Sequence, residues 1–199
     1  MTLIVFEGID GCGKSTQLER AEAWLREAGH DPLVLREPGG TSLGENIRTI
    51  LLDPATEACP IAELLAYQVA RAQLVHEQLM PARAAGRTVL LDRFWYSTIA
   101  YQAYGLGLDA HRVRSAIDLA IDGLHADLAL YLRIDPTIAE ARRTAAGADR
   151  IEARGLEYLE RVRDGYEALV ASGDLTAIDA ELGPDQVFEA VTASMRSVI

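Results

Sequence analysis

Eight consecutive residues, Gly8-Ile9-Asp10-Gly11-Cys12-Gly13-Lys14-Ser15, fit the pattern G-x-x-x-x-G-K-[ST] of a loop that wraps a polyphosphate. Lys14 is the only lysine in the chain, against eighteen arginines. The three glycines let successive backbone N–H groups turn inward toward an anion, and the N-terminus of the following helix adds about half a positive charge. Lys14 supplies a compact point charge for the β- and γ-phosphates, and the Ser15 hydroxyl is a ligand for Mg²⁺. An arginine, larger and forked, would be a poor replacement. The expected ligand is a nucleoside triphosphate, and the loop leaves the acceptor open.

Other residues of the right type follow the later apolar runs. Val89-Leu90-Leu91 ends in Asp92, the form of the carboxylate that holds the Mg²⁺ shell in phosphate-loop enzymes, and Arg93 beside it can bridge two phosphates. Arg36-Glu37-Pro38-Gly39-Gly40-Thr41 ends the second run, with Ser42 and Glu45 spaced as a capping box for the next helix. Arg36 and Arg48 flank a second anion pocket there, with Glu37 orienting one of them. Tyr67 and Arg71 lie one turn apart on a long helix, an arrangement that stacks on a flat base and reads a carbonyl edge. Arg142, Arg143, Arg150 and Arg154 surround Ala145-Ala146-Gly147-Ala148, a lid whose arginines supply charge that the phosphate loop lacks.

The elements that must position these residues alternate strand and helix. Short apolar runs at 2–7, 33–36, 88–92, 127–134 and 175–179 are separated by helical patterns near 14–28, 42–52, 60–85, 95–104, 109–122, 137–146, 153–172 and 184–198. That order predicts an α/β fold: a five-stranded parallel sheet flanked by helices on both faces, with a short lid near 137–154. Ligands of such sheets sit beyond the carboxyl ends of the strands, where the phosphate loop, Arg36–Thr41 and Asp92–Phe94 all fall. The 199 residues suit one domain.

A net charge of −11 argues against a nucleic-acid backbone as partner. Cys12 and Cys59, the two cysteines, form no metal or disulfide pattern, which fits a reducing cytoplasm, and Cys12 reads as a small loop residue. No apolar stretch reaches the roughly 20 residues of a membrane span, and the first residues do not read as a signal peptide.

The chain resembles the thymidylate kinase family, phosphate-loop nucleoside monophosphate kinases that phosphorylate dTMP with ATP. The likeness runs nearly end to end, through Phe6-Glu7-Gly8-Ile9-Asp10-Gly11, Arg36–Thr41, Arg71-Ala72-Gln73, Asp92-Arg93-Phe94, Ser97, Ala100-Tyr101-Gln102, Asp149-Arg150-Ile151-Glu152 and Ile178-Asp179-Ala180. The resemblance implies a P-loop NTPase fold, Mg²⁺ held by Ser15 and Asp92, ATP held along Gly8 to Thr16, and a homodimer in the cytoplasm. It implies that Arg71 meets the thymine edge while Tyr67 stacks, with Ser97 and Gln102 in the base pocket and Glu37 in the acceptor site. It further implies that Arg48 and Arg93 hold the dTMP phosphate, that Asp10 meets the 3′-hydroxyl, and that Tyr101 fills the space of a 2′-hydroxyl. Lys14, Asp92, Arg93 and the lid residues Arg143 and Arg150 are the implied catalytic set. Tyr67 and Phe94 depart from the family's more frequent Phe and Tyr, which bears on the shape of the base pocket.

Two other readings remain at this point. One is a kinase for another nucleoside monophosphate, using the same loop and lid. The other is a nucleotide-driven ATPase or a GTP switch, against which stands the lack of any lysine for an Asn-Lys-x-Asp guanine motif.

Overall fold

The structure, a computed structural model, describes residues 1–142, 150–151 and 154–199. Five strands form one parallel sheet in the order β2-β3-β1-β4-β5, with β1 Thr2–Glu7, β2 Leu33–Arg36, β3 Thr88–Asp92, β4 Leu128–Arg133 and β5 Thr176–Asp179. Leu3 to Phe6 and Val89 to Leu91 are wholly buried, as a parallel sheet covered on both faces requires. The sequence expectation of five strands at these positions holds to within a residue at each end.

The helices around the sheet are α1 Lys14–Glu27, α2 Ser42–Leu52, α3 Pro60–Leu74, α4 Met80–Ala84, α5 Trp95–Thr98, α6 Ala110–Ile121, α7 Pro136–Arg142, α8 Leu156–Ala171 and α9 Pro184–Met195. Two of the expected helices contain wider π-helical turns. The helix expected over 60–85 passes through one at Val75–Leu79 between α3 and α4. Pro81 explains it: in a regular turn its ring would collide with the Glu77 carbonyl, and the wider turn makes room. The helix expected over 95–104 is α5 followed by a π-helical stretch, Ile99–Gly105.

That second π-helical stretch is clamped by α8. A Cβ on Gly165 would lie 2.8 Å from Ala100 Cα, and one on Gly105 would lie 2.6 Å from the Tyr158 ring. The two backbones therefore approach as closely as only glycine permits, which fixes Tyr101 and Gln102 relative to α8.

One expected cap moves by a residue. Thr41, not Ser42, is the N-cap of α2, its Oγ1 accepting from Gly44 N at 2.9 Å. Glu45 accordingly accepts from Gly40 N at 2.9 Å and pairs with Arg36 at 3.0 Å instead of closing a box with Ser42. The physical reason is that Thr41 is extended (φ −141°, ψ 161°), leaving Ser42 already inside the helix.

Candidate active site

Phe6 and Arg36 both stand in register with Asp92, so β1, β2 and β3 release their chains at one level of the sheet. The ladder continues one residue further through Arg93 N to Phe6 O (2.9 Å) and Glu37 N to Asp92 O (2.9 Å). Residues just beyond that rim converge on one cavity, lined by Asp10 and Ser15 from the first loop, Arg36 and Glu37 from the second, and Asp92 and Arg93 from the third. Arg48 from α2, Tyr67 and Arg71 from α3, and Ser97, Tyr101 and Gln102 beyond α5 complete the wall. Asp10 and Ser15 of the phosphate loop and Arg36, Arg48 and Arg93 of the second anion pocket thus face the same space.

The phosphate loop has the backbone its glycines were expected to allow. Gly11 has φ 89°, and a Cβ there would sit 2.2 Å from the Ala139 carbonyl oxygen, so α7 packs directly onto the loop. Gly13, at φ 95°, leads into α1. Lys14 is buried and folds back across the loop, donating to Gly8 O at 2.8 Å and Ile9 O at 3.3 Å and pairing with Asp10 at 3.5 Å. Cys12 is buried beneath it, consistent with a space-filling role.

Asp10 also pairs with Arg93 at 2.9 Å. Burial pushes its carboxyl up, but the charges of Arg93 and Lys14 outweigh that and hold it well below the usual carboxylate range. Two cations, Lys14 and Arg93, therefore share one carboxylate at the rim of the sheet.

Arg93 adopts φ 69°, a left-handed conformation costly for a residue with a side chain. Its side chain is held by Asp10, by Ser97 Oγ at 3.2 Å and by Tyr166 Oη at 3.3 Å. Behind it lies Glu7, fully buried, which accepts from Phe94 N at 2.7 Å and from the Ser97 and Tyr166 hydroxyls. Burial raises the Glu7 carboxyl above its ordinary range, against the lowering pull of Arg93 and of the bonds from Ser97, Phe94 and Tyr166. Glu7 and Tyr166 are functional neighbours that reading the sequence for motifs missed. Glu7 gave one signal, a charge closing an otherwise apolar strand, whereas Tyr166 lies 73 residues from Arg93 and gave none.

The Arg71 guanidinium is 2% exposed and its partners differ from those expected. Glu37 orients Arg71, at 2.8 Å to Nε and 2.7 Å to Nη2, and not Arg36 or Arg48. Arg36 pairs with Glu45, and Arg48 donates to Pro38 O at 3.1 Å. Glu37 is buried and turns into the interior, where Arg71 is the guanidinium within reach. Arg71 further donates to Gln68 Oε1 (2.8 Å), Thr98 Oγ1 (2.9 Å) and Phe94 O (3.1 Å). Four of its five N–H groups thus donate to acceptors of the protein, and the second Nη2–H lies beside Glu37 Oε2, which Nε already bonds. Thr98, which the sequence reading passed over, accepts from Arg71 and lines the cavity.

Tyr101 is buried against Arg93, whose guanidinium carbon lies 5.2 Å from its ring centre. Asp92 Oδ1 is also buried, with no hydrogen-bond partner among the described residues.

The expected lid arginines separate. Arg143 lies outside the described residues. Arg150 is held by α2 and α3: its Nε donates to Leu51 O and its Nη2 to Glu63 Oε2, each at 2.8 Å. Arg154 binds the same carboxylate, and Arg142 donates to Ala180 O at 2.7 Å. The reason is Glu63, a fully buried carboxylate on α3 that the sequence reading did not single out. Burial would raise its carboxyl, but the hydrogen bond and charge of Arg154, the bond from Gln102 and the charge of Arg150 hold it below the usual range.

The sequence matches the family described as Thymidylate kinase over residues 6–191. A thymidylate kinase of Synechococcus sp. (strain RCC307) is 46% identical over 200 residues, covering 97% of this chain and 94% of the relative. One from Chlorobium luteolum is 40% identical over 205 residues, 97% of this chain and 96% of the relative. One from Caldanaerobacter subterraneus subsp. tengcongensis is 46% identical over 167 residues, 84% of this chain and 80% of the relative.

Proposed function

Because the chain belongs to the thymidylate kinase family and transfers the γ-phosphoryl group of ATP to dTMP, we propose that both nucleotides meet in the one cavity at the sheet rim. The observation that carries this reading is that Ser15 of the phosphate loop and Tyr67 and Arg71 of α3 line the same space. The whole chain then acts as a single kinase domain, with the lid near 137–154.

An oxygen of the dTMP phosphate attacks the γ-phosphorus in line. That oxygen is ionised at neutral pH, so no general base is required, and catalysis rests on positioning and charge. The loop from Gly8 through Ile9, Asp10, Gly11, Cys12 and Gly13 to Lys14, Ser15 and Thr16 holds the ATP tail, with Lys14 leaving its carbonyl partners for the phosphates. Arg93 and Arg48 grip the acceptor phosphate. Asp10, held ionised by its two cations, is the acceptor for the sugar 3′-hydroxyl, and Tyr101 closes the space of a 2′-hydroxyl. Tyr67 stacks on the base, while Arg71, Thr98, Ser97 and Gln102 line its edge, with Glu37 locking Arg71.

The donors present suit Mg²⁺. The Ser15 hydroxyl shares the cavity with Asp92, whose orphaned buried oxygen is the state of a carboxylate made to face a cation or its water. Ser15 and Asp92 would hold the ion, which when bound neutralises charge between the phosphates. To reach the transferred group, Arg150 would have to leave Glu63.

The reading also takes the chain to be a cytoplasmic homodimer. Ile61, Leu65 and Val69 form an exposed stripe at four-residue spacing along α3, and Leu43 and Ile50 are exposed on the adjoining α2, an apolar face that a second copy would cover. No helix among the described residues is long and apolar enough to cross a membrane.

The pocket assignment is checked by Tyr67→Ala. Loss of one base–aromatic stack costs about 1–3 kcal/mol, so KM for dTMP is expected to rise about tenfold with KM for ATP nearly unchanged. Equal effects on both substrates in steady-state assays would place the base elsewhere.

A further inference from the structure

Gln102 lines the cavity from the π-helical stretch after α5, and its Nε2 donates to Glu63 Oε1 at 3.1 Å. A carboxylate can only accept. It therefore decides which end of the Gln102 amide is nitrogen and leaves Oε1 as the end offered to a ligand. Glu63 is itself fixed, being fully buried and bound by Arg150 Nη2 at 2.8 Å and by both terminal nitrogens of Arg154. Arg150 is anchored in turn on the Leu51 carbonyl, and Arg154 on the Tyr158 hydroxyl at 3.0 Å. Ile151, carried by this clamp, lines the same cavity.

We infer that Glu63, which touches neither nucleotide, is the positioning residue for base selection: it holds the Gln102 amide so that Oε1 accepts the ring N3–H of thymine. The inference rests on reading the cavity as the dTMP site. Cytosine presents an acceptor at N3, so the fixed amide oxygen would meet a lone pair and leave two buried acceptors facing each other. With a neutral amide at position 63, either end of Gln102 can point inward and that discrimination is lost.

The test is kcat/KM for dTMP and for dCMP at saturating ATP, measured for the unaltered enzyme and for Glu63→Gln, Gln102→Leu, the double variant and Tyr67→Ala. Glu63→Gln is expected to lower the dTMP-to-dCMP ratio at least about tenfold while KM for ATP stays within about twofold. Gln102→Leu, which leaves the Glu63–arginine clamp in place, should lower the ratio by a similar factor even where Glu63→Gln does not fold. The double variant should lose no more than the stronger single one. Equal losses for both substrates in Glu63→Gln, or an unchanged ratio in Gln102→Leu, would overturn the inference. If Tyr67→Ala alone raises KM for dTMP, the cavity assignment stands and the role of Glu63 falls; if Tyr67→Ala also leaves it unmoved, both fall.

Discussion

Replacing Arg93 with alanine is expected to lower kcat/KM for dTMP by about 10³-fold, the smaller end of what a guanidinium on a transferring phosphoryl group supplies. Arg93 sits immediately after Asp92, is pinned by Asp10, Ser97 and Tyr166, and holds a left-handed backbone that only such over-determination sustains. Pre-set in this way, it would meet the proposed acceptor phosphate without reorganising. Lysine should not restore the activity, because one ammonium cannot bridge two phosphates or replace the fork. Arg93→Gly gives an internal control: it loses the same charge but tolerates φ 69°, so it should be more stable to heat than Arg93→Ala and equally inactive. Steady-state kinetics with thermal denaturation checks both, and a loss under about tenfold in the folded alanine variant would remove Arg93 from the chemistry.

Lys14→Met should cost about 10²–10³ in kcat, the loss seen when one pre-positioned charge-stabilising group is removed, with KM for dTMP little changed. Lys14 is buried, and its bonds to Gly8 O and Ile9 O aim its ammonium inside the loop. Lys14→Arg should fare no better, since a fork has no room where a point charge fits. Asp10 keeps Arg93 as counter-ion in either variant, so the rim retains its fold. If kcat falls only with KM for dTMP, Lys14 serves the acceptor and not the ATP tail.

The fold was readable because its strands are short, apolar and separated by well-marked helices. Thr2–Glu7, Leu33–Arg36 and Thr88–Asp92 each end where the polarity changes. The π-helical turns were not readable as such: one follows from Pro81, but the other packs on α8 through contacts between residues distant in sequence, Gly105 with Tyr158 and Gly165 with Ala100. Local motifs brought Ser15, Asp92, Arg93, Tyr67 and Arg71 to one cavity. What sequence spacing could not show was partner choice. Glu37 turns to Arg71 and not to its neighbours, and Arg150 and Arg154 share Glu63, because burial and not proximity along the chain decides which carboxylate a guanidinium meets.

The most direct measurement is a crystal structure with dTMP and a non-hydrolysable ATP analogue bound together with Mg²⁺. The account predicts the pyrimidine between Tyr67 and the Thr98–Gln102 edge, its phosphate on Arg93, and an acceptor oxygen in line with the γ-phosphorus at about 3–3.5 Å. A pyrimidine bound outside this cavity, or an acceptor oxygen out of line with the donor, would contradict it.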